Sequence, residues 1–267
     1  MRQYDFTKQP SILIQGAMDV ETEYLIEALE ERELVAIGNW NFYTGFLGRH
    51  HTPVIISKTF QGMVNAAAVT SLAMVHFSPK AVINQGIGGG HDASFHVGDI
   101  VLGEKVVPMG AMMRPYAAKG AGIGDADFDP LELEVYNKKI GSAEKVIDFA
   151  CDEKLLKTAE RTVIYYQMEE KLPAASCRRI ARGVLGSADE WNNQLDRIAM
   201  IHERYHTAEE DMESAAVAQL CYSYGVPFIG IRIISNTVVN DEAFDESVAL
   251  DGQKFVVRYI ETLSETA

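Results

Sequence analysis

The order in which short apolar runs and helix-patterned segments follow one another constrains this chain more than any other feature of its sequence. Residues 11–15 (SILIQ) form an apolar run of strand length that ends at Gly16, and 20–34 then place Ile26 and Leu29 among glutamates, as an amphipathic helix does. The order repeats. Residues 54–57 read as a strand, 65–77 as an apolar helix, 81–84 (AVIN) as a buried strand and 99–102 as another. From Met109 to Asp129 the chain is rich in Gly, Ala and Asp, which predicts a long loop or lid, with room for helical order after Pro130. Beyond it, 162–167 (TVIYYQ) and 182–186 are expected strands, and 213–224 a helix closed by Gly225 at its C′ position. Residues 227–234 (PFIGIRII) make the strongest strand, and 251–263 the terminal helix. Such alternation predicts an α/β fold with a largely parallel or mixed sheet. No internal repeat or Pro/Ser-rich linker divides the chain, so one domain is expected over residues 1–267, with a divergent loop or lid at about 103–160.

Composition narrows the partners. With 24 Lys+Arg against 38 Asp+Glu the net charge is −14, which opposes nucleic acid and anionic lipid, and Arg178, Arg179 and Arg182 are too short a basic stretch to reverse it. No uncharged apolar stretch approaches the length of a membrane span, and the N-terminus lacks the pattern of an export signal. Cys151, Cys177 and Cys221 are odd in number and widely spaced, which favours neither a disulfide framework nor a cysteine-based zinc site. A cytoplasmic protein with a small-molecule partner is the expectation, without nucleic acid or membrane.

Three motifs match chemistry only formally. His202-Glu203-Arg204-Tyr205-His206 has the HExxH spacing of a zinc site, but it is placed at the polar end of a helix beginning near Asp189 and runs into the acidic stretch 207–211 (TAEED). Gly86-Ile87-Gly88-Gly89-Gly90 follows a strand, yet a turn and another strand come after it instead of the helix of a dinucleotide site. It reads as a glycine cluster at a strand end, where backbone can approach a ligand closely. Asp125, Asp127 and Asp129 imitate a calcium loop, but Pro130 stands where the glycine belongs and Tyr136 where the final glutamate belongs.

Four further segments occur in one order and spacing: 16–21 (GAMDVE), 84–90 (NQGIGGG) with 97–101 (VGDIV), 211–216 (DMESAA), and 226–235 from Val226-Pro227-Phe228 to Arg232-Ile233-Ile234-Ser235. In these the chain resembles the methylthioadenosine/S-adenosylhomocysteine nucleosidases of the purine nucleoside phosphorylase/uridine phosphorylase superfamily, from about residue 11 to 263 apart from 103–160. The resemblance implies a three-layer α/β/α fold with a mixed central sheet, cleavage of the bond between a purine and ribose without metal or cofactor, and a homodimer. It makes Glu21 the general base and Met212 and Glu213 the ribose pair. It places Arg232 near the attacking water, with Glu21 or Glu213 as the expected partner of its charge. Trp191 would stack on the base, and Met18, Gly86, Ile87, Gly88, Asn192 and Asp211 would complete the substrate site.

The residues themselves bear on the nucleophile. Neither 16–23 nor 84–92 contains Arg or Lys, and Asp19 and Glu21 would repel a phosphate where a phosphorylase needs to hold one. A glutamate there can orient and deprotonate water, which favours hydrolysis. Two departures stand out. Asn236 occupies the place of the aspartate that gives a proton to N7 of adenine, and an amide is no such donor although it can hydrogen-bond to N7 and to a 6-oxo group. Ile87 replaces a serine near the water, and Met109, Met112 and Met113 offer an adaptable apolar lining for a 5′ substituent. A 6-oxopurine nucleoside hydrolase of the futalosine hydrolase kind, a phosphate-dependent phosphorylase and a non-catalytic nucleoside-binding protein remain the alternatives to an adenine nucleosidase.

Overall fold

The structure is a computed structural model, and it describes residues 4–121, 128–169 and 178–265. The chain begins as the apolar pattern predicts. Strand β1 (Ile12–Gly16) is followed by α1 (Asp19–Glu27), then β2 (Glu30–Ile37), β3 (Trp40–Leu47) and β4 (Thr52–Lys58). Helix α2 (Met63–Phe77) leads to β5 (Ala81–Gly90), β6 (Ile100–Pro108), the short strands β7 (Met112–Met113) and β8 (Asp129–Pro130), the hairpin β9 (Leu133–Asn137) and β10 (Ser142–Val146), and β11 (Phe149–Ala150). The second half contributes α3 (Glu153–Glu169), β12 (Ile180–Ser187), α4 (Leu195–Tyr205), β13 (Thr207–Asp211), α5 (Ser214–Tyr224), β14 (Phe228–Asn236) and α6 (Ala249–Glu265).

Ten of these strands form one mixed sheet. Parallel β1 lies between β4 and β5, and β3 and β2 extend it antiparallel to an edge. On the other side β5 pairs with both β14 and β13, β14 pairs with β6, and β6 with β12, which pairs with β13. Those five strands therefore close into a ring. Period-two alternation sends Leu13, Ile55 and Val82 to the face covered by α2 and α5, and Ile12, Ile14, Val54, Ile56 and Ile83 to the face covered by α1, α3 and α6. The result is the three-layer α/β/α arrangement.

Four expectations are corrected. The 20–34 helix stops at Glu27, because Leu34–Ile37 pair antiparallel with Trp40–Tyr43 around Gly38, whose φ of 60° suits the tight reversal. TVIYYQ lies inside α3: with Leu155, Leu156 and Ala159, its Val163 and Tyr166 continue a helical stripe that packs on α6, where Tyr166 meets Phe255 edge-on at 5.5 Å. The stretch after Pro130 is the β9–β10 hairpin, not a helix, turned at Gly141 with φ 71°. The HExxH helix begins at Leu195, not near Asp189. Cys177, Asp125 and Asp127 lie outside the described residues.

Candidate active site

The acidic run 207–211 forms β13, and every residue of it is buried. Ring closure explains this: β13 is enclosed between β12 and β5, with Glu209 opposite Gly90 and Glu210 opposite Gly89. Strand alternation divides its acids. Glu209 and Asp211 lie on the side of Arg232, whereas Glu210 lies toward His91 and the cleft.

Arg232, the central side chain of β14, is 1% exposed. Its Nε lies 3.2 Å from Asp211 Oδ2, while Nη2 and Nη1 donate to Asn84 Oδ1 (2.5 Å) and Asn84 O (3.1 Å). The expected partner was Glu21 or Glu213; Asp211 takes that place because it projects into the ring beside the guanidinium. Asp211 also accepts from the backbone of Glu213 and Ser214, each at 2.8 Å, so it ties the start of α5 to β14. Glu209 carries no hydrogen-bond partner on either oxygen, and burial, reinforced by Asp211, raises its carboxyl well above the usual range.

Glu21 sits at the third position of α1, where its side chain reaches back to the helix start. Oε2 accepts from Ala17 N (2.6 Å) and Met18 N (2.9 Å), and Oε1 from Ile87 N (2.9 Å). Burial raises its pKa; the three backbone donors and Arg232 oppose that shift. A Cβ on Gly86 would lie 2.5 Å from Glu21 Oε1, so only glycine admits the carboxylate there. Glu213 Oε1 accepts from Gly62 N at 2.8 Å, at the start of α2. Burial and Asp211 push its carboxyl up to about 8.

These groups surround a cleft of about 630 Å³ that includes its open mouth. Of the sequence-derived residues, Met18, Glu21, Ile87, Gly88, Trp191, Asp211, Met212, Glu213 and Asn236 line it. Gly86 and Arg232 lie behind the wall, Asn192 lines the neighbouring open groove, and Met109 is buried under Phe128 and Tyr205 away from the cleft. Met112 and Met113 pair with the 129–130 strand and likewise do not line it. Trp191 is 59% exposed and leans on Phe244, with ring centroids 5.5 Å apart, so it is a cleft wall rather than core. His202 and His206 diverge: the first meets Thr207 O through Nδ1 at 2.8 Å, and the second is the left-handed cap of α4. Sequence reasoning missed Gln61, Glu190, Glu210 and Phe244. Phe244 and Gln61 carry no local signal, but buried Glu210 could have been suspected from its place between a strand-length run and the ribose pair.

Among the described residues lining the cleft there are five carboxylates (Glu21, Glu190, Glu210, Asp211, Glu213) and no Lys, Arg or His. Lys58, near the first turn, is already bound to Asp19 at 2.6 Å.

Residues 11–261 match the family model described as "Phosphorylase superfamily". A 5′-methylthioadenosine/S-adenosylhomocysteine nucleosidase of Bacillus cereus (strain G9842) is 29% identical over 259 residues, covering 94% of this chain and 99% of the relative. A nucleosidase of that name from Colwellia psychrerythraea 34H, solved with adenine, superposes with a TM-score of 0.74 at 23% identity over 96% of this chain and 97% of its own. The futalosine hydrolase of Helicobacter pylori strain 26695 gives 0.72 at 22% identity over 94% and 97%.

Proposed function

The chain belongs to the phosphorylase superfamily, and from that premise we propose that it hydrolyses the N-glycosidic bond of a purine nucleoside, with chemistry of the methylthioadenosine/S-adenosylhomocysteine nucleosidase type. One observation carries the choice of water over phosphate: the cleft gathers five carboxylates with no cation among its described lining residues. Asp211 and Glu190 are ion-paired by Arg232 and Arg197, neither of which lines the cleft, so no cationic side chain is presented there to hold a phosphate dianion. The names of the Bacillus relative and the Colwellia neighbour support the same reaction.

Cleavage develops positive charge on the ribose and negative charge on the departing base. Glu21, fixed by three backbone N–H groups, is pre-oriented to take a proton from water. Met212 and Glu213 hold the ribose, the carboxylate accepting from its hydroxyls. Trp191 and Phe244 supply an apolar wall for the base. Asn236 hydrogen-bonds to the base without protonating it. That amide favours a second reading, the same hydrolysis with a 6-oxopurine leaving group, in keeping with the futalosine hydrolase neighbour. Arg232 acts from behind the wall, by holding Asp211 and balancing the buried acids.

The decisive experiment follows base release from adenosine, inosine and 5′-methylthioadenosine in phosphate-free buffer. Release without phosphate is expected, and strict phosphate dependence would make the protein a phosphorylase. Binding without any turnover would make it a nucleoside-binding protein. The same proposal includes a homodimer, supported by Val64 (80% exposed) and Val75 (73%) three turns apart on α2, and a reducing cytoplasm, supported by the free thiols of Cys151 and Cys221.

A further inference from the structure

Phe244 stands in the cleft wall with little packing of its own, since it is 47% exposed and leans its ring on the equally open Trp191. Its place therefore depends on the backbone on either side. The chain leaves β14 at Asn236 and turns through a short 3-10 helix (Val238–Asn240) before returning to Thr237. Thr237 N donates to Glu242 O at 3.1 Å and Glu242 N to Thr237 O at 2.9 Å, with Asp241 at φ 57° making the reversal. Two residues further on, Asp245 N donates to Ser235 O at 2.8 Å, and Asp245 Oδ1 accepts from Ser247 N at 2.9 Å to cap the next turn. Phe244 thus rides on an arch of two residues, Ala243 and Phe244, sprung between Glu242 and Asp245.

The carboxylate of Glu242 binds this loop to another segment. Oε2 accepts from Val97 N at 2.8 Å, and Oε1 lies 2.7 Å from His96 Nδ1. Asn240 Nδ2 reaches the same segment, donating to Phe95 O at 2.9 Å and to Ala93 O at 3.2 Å. That segment follows β5, whose Gly88 and Gly89 line the cleft, so Glu242 ties the Phe244 arch to the strand that carries the cleft floor. The carboxylate side chain is 32% exposed and the imidazole 60%. An ion pair so exposed is weak by itself, but the backbone donor holds the second oxygen and gives the side chain one direction. Glu242 from the loop and Asp99 from the turn before β6 are the charged groups that act on His96; both favour its imidazolium and raise its pKa. Arg179 is engaged elsewhere, with Ser94 O and the ring of Phe95.

We propose that Glu242 and His96 are positioning residues of the cleft: the carboxylate, held by the imidazole and by Val97 N, sets the arch that keeps Phe244 against Trp191 and so completes the apolar wall. This rests on reading the cleft as a nucleoside site. Neither residue lines the cleft, so both act through Phe244. Protonated His96 makes the stronger, charge-assisted bond. The wall is therefore firmest at low pH and loosens as pH rises and the imidazolium is lost.

The first test measures KM and kcat in Glu242→Ala, Phe244→Ala and the double variant, with the fastest substrate among adenosine, inosine and 5′-methylthioadenosine. Glu242→Ala is expected to raise KM about three- to tenfold, the size of one aromatic contact, with kcat changed less. In the Phe244→Ala background the same substitution is expected to change KM by less than about twofold, because two residues acting through one contact do not add. An unchanged KM in Glu242→Ala, or a KM increase that multiplies in full with that of Phe244→Ala, would overturn the proposal. The second test needs no turnover. Trp191 is one of two tryptophans, so in a Trp40→Phe background it is the sole indole reporter. Glu242→Ala is expected to shift its emission to the red and to increase its quenching by acrylamide. With Glu242 and His96 intact, quenching is expected to rise as pH climbs above about 6.5, the ordinary histidine value. In His96→Asn, whose amide donates without titrating, the profile is expected to be flat. Equal quenching with and without the Glu242 carboxylate, or a pH profile retained in His96→Asn, would each overturn the proposal. The pH profile needs no Glu242 variant and decides the matter if Glu242→Ala does not fold. Should no nucleoside be hydrolysed, the reaction reading fails while the fluorescence still tests the anchor.

Discussion

At the scale of single residues, the cleft is governed by how each carboxylate is held. Glu21 is held by three backbone donors despite its burial, which fixes its orientation as a base for water requires. Glu21→Gln keeps the shape and loses the basicity; kcat is expected to fall by about 10²–10⁴, with purine base still bound in calorimetry. An unchanged kcat would remove Glu21 from the reaction. Glu213 has a carboxyl pushed up to about 8 by burial and by Asp211. Its folded state binds a proton that the unfolded chain has released above the ordinary glutamate range of about 4.3, so its contribution to stability is greatest at low pH and declines as pH rises toward 8. Glu213→Gln cannot ionise. Its melting temperature relative to wild type is therefore expected to climb between about pH 4.5 and 8, and a flat difference across that range would show that Glu213 is not strained by burial.

At the scale of elements, the ring of strands decides which side chains meet. Gly88 of β5 passes so close to β13 that a Cβ there would lie 2.1 Å from Glu209 Oε2 and 3.0 Å from the Glu210 carbonyl. Glu209 is enclosed and the second neighbour is backbone, so neither yields cheaply. Gly88→Ala is expected to cost about 1–3 kcal/mol in denaturant unfolding. Wild-type stability in that variant would mean that β5 and β13 are not packed as described. Element identity was legible wherever period and punctuation agreed, as for β1, α2, α5 with Gly225, and β14. It was not legible where a local pattern served another partner. TVIYYQ has the β-branched and aromatic residues of a strand but is helical, with Val163 and Tyr166 packed into the cluster shared with α6, and the acidic run ThrAlaGluGluAsp is a buried ring strand.

At the scale of the molecule, the −14 net charge opposes anionic partners everywhere, and the fold concentrates that opposition by placing five carboxylates around one cleft. Val64 and Val75 are exposed on α2, the face offered for the proposed homodimer; under that proposal sedimentation is expected to give a dimer near twice the 29.5 kDa chain mass, and Val75→Lys to shift it toward monomer. A wild-type monomer at micromolar concentration would refute this. The sequence by itself determined the alternating strands and helices of an α/β fold, and the resemblance carried by its short motifs supplied the layered class and most of the cleft residues, because apolar period and short motifs are local properties of a chain. Only the tertiary structure decided that Arg232 pairs with Asp211, that Met109 is core, and that Glu209 and Glu210 turn to opposite sides of one buried strand. Those outcomes depend on which strands become neighbours when the ring closes, and strand neighbours are set by contacts between residues far apart in the chain.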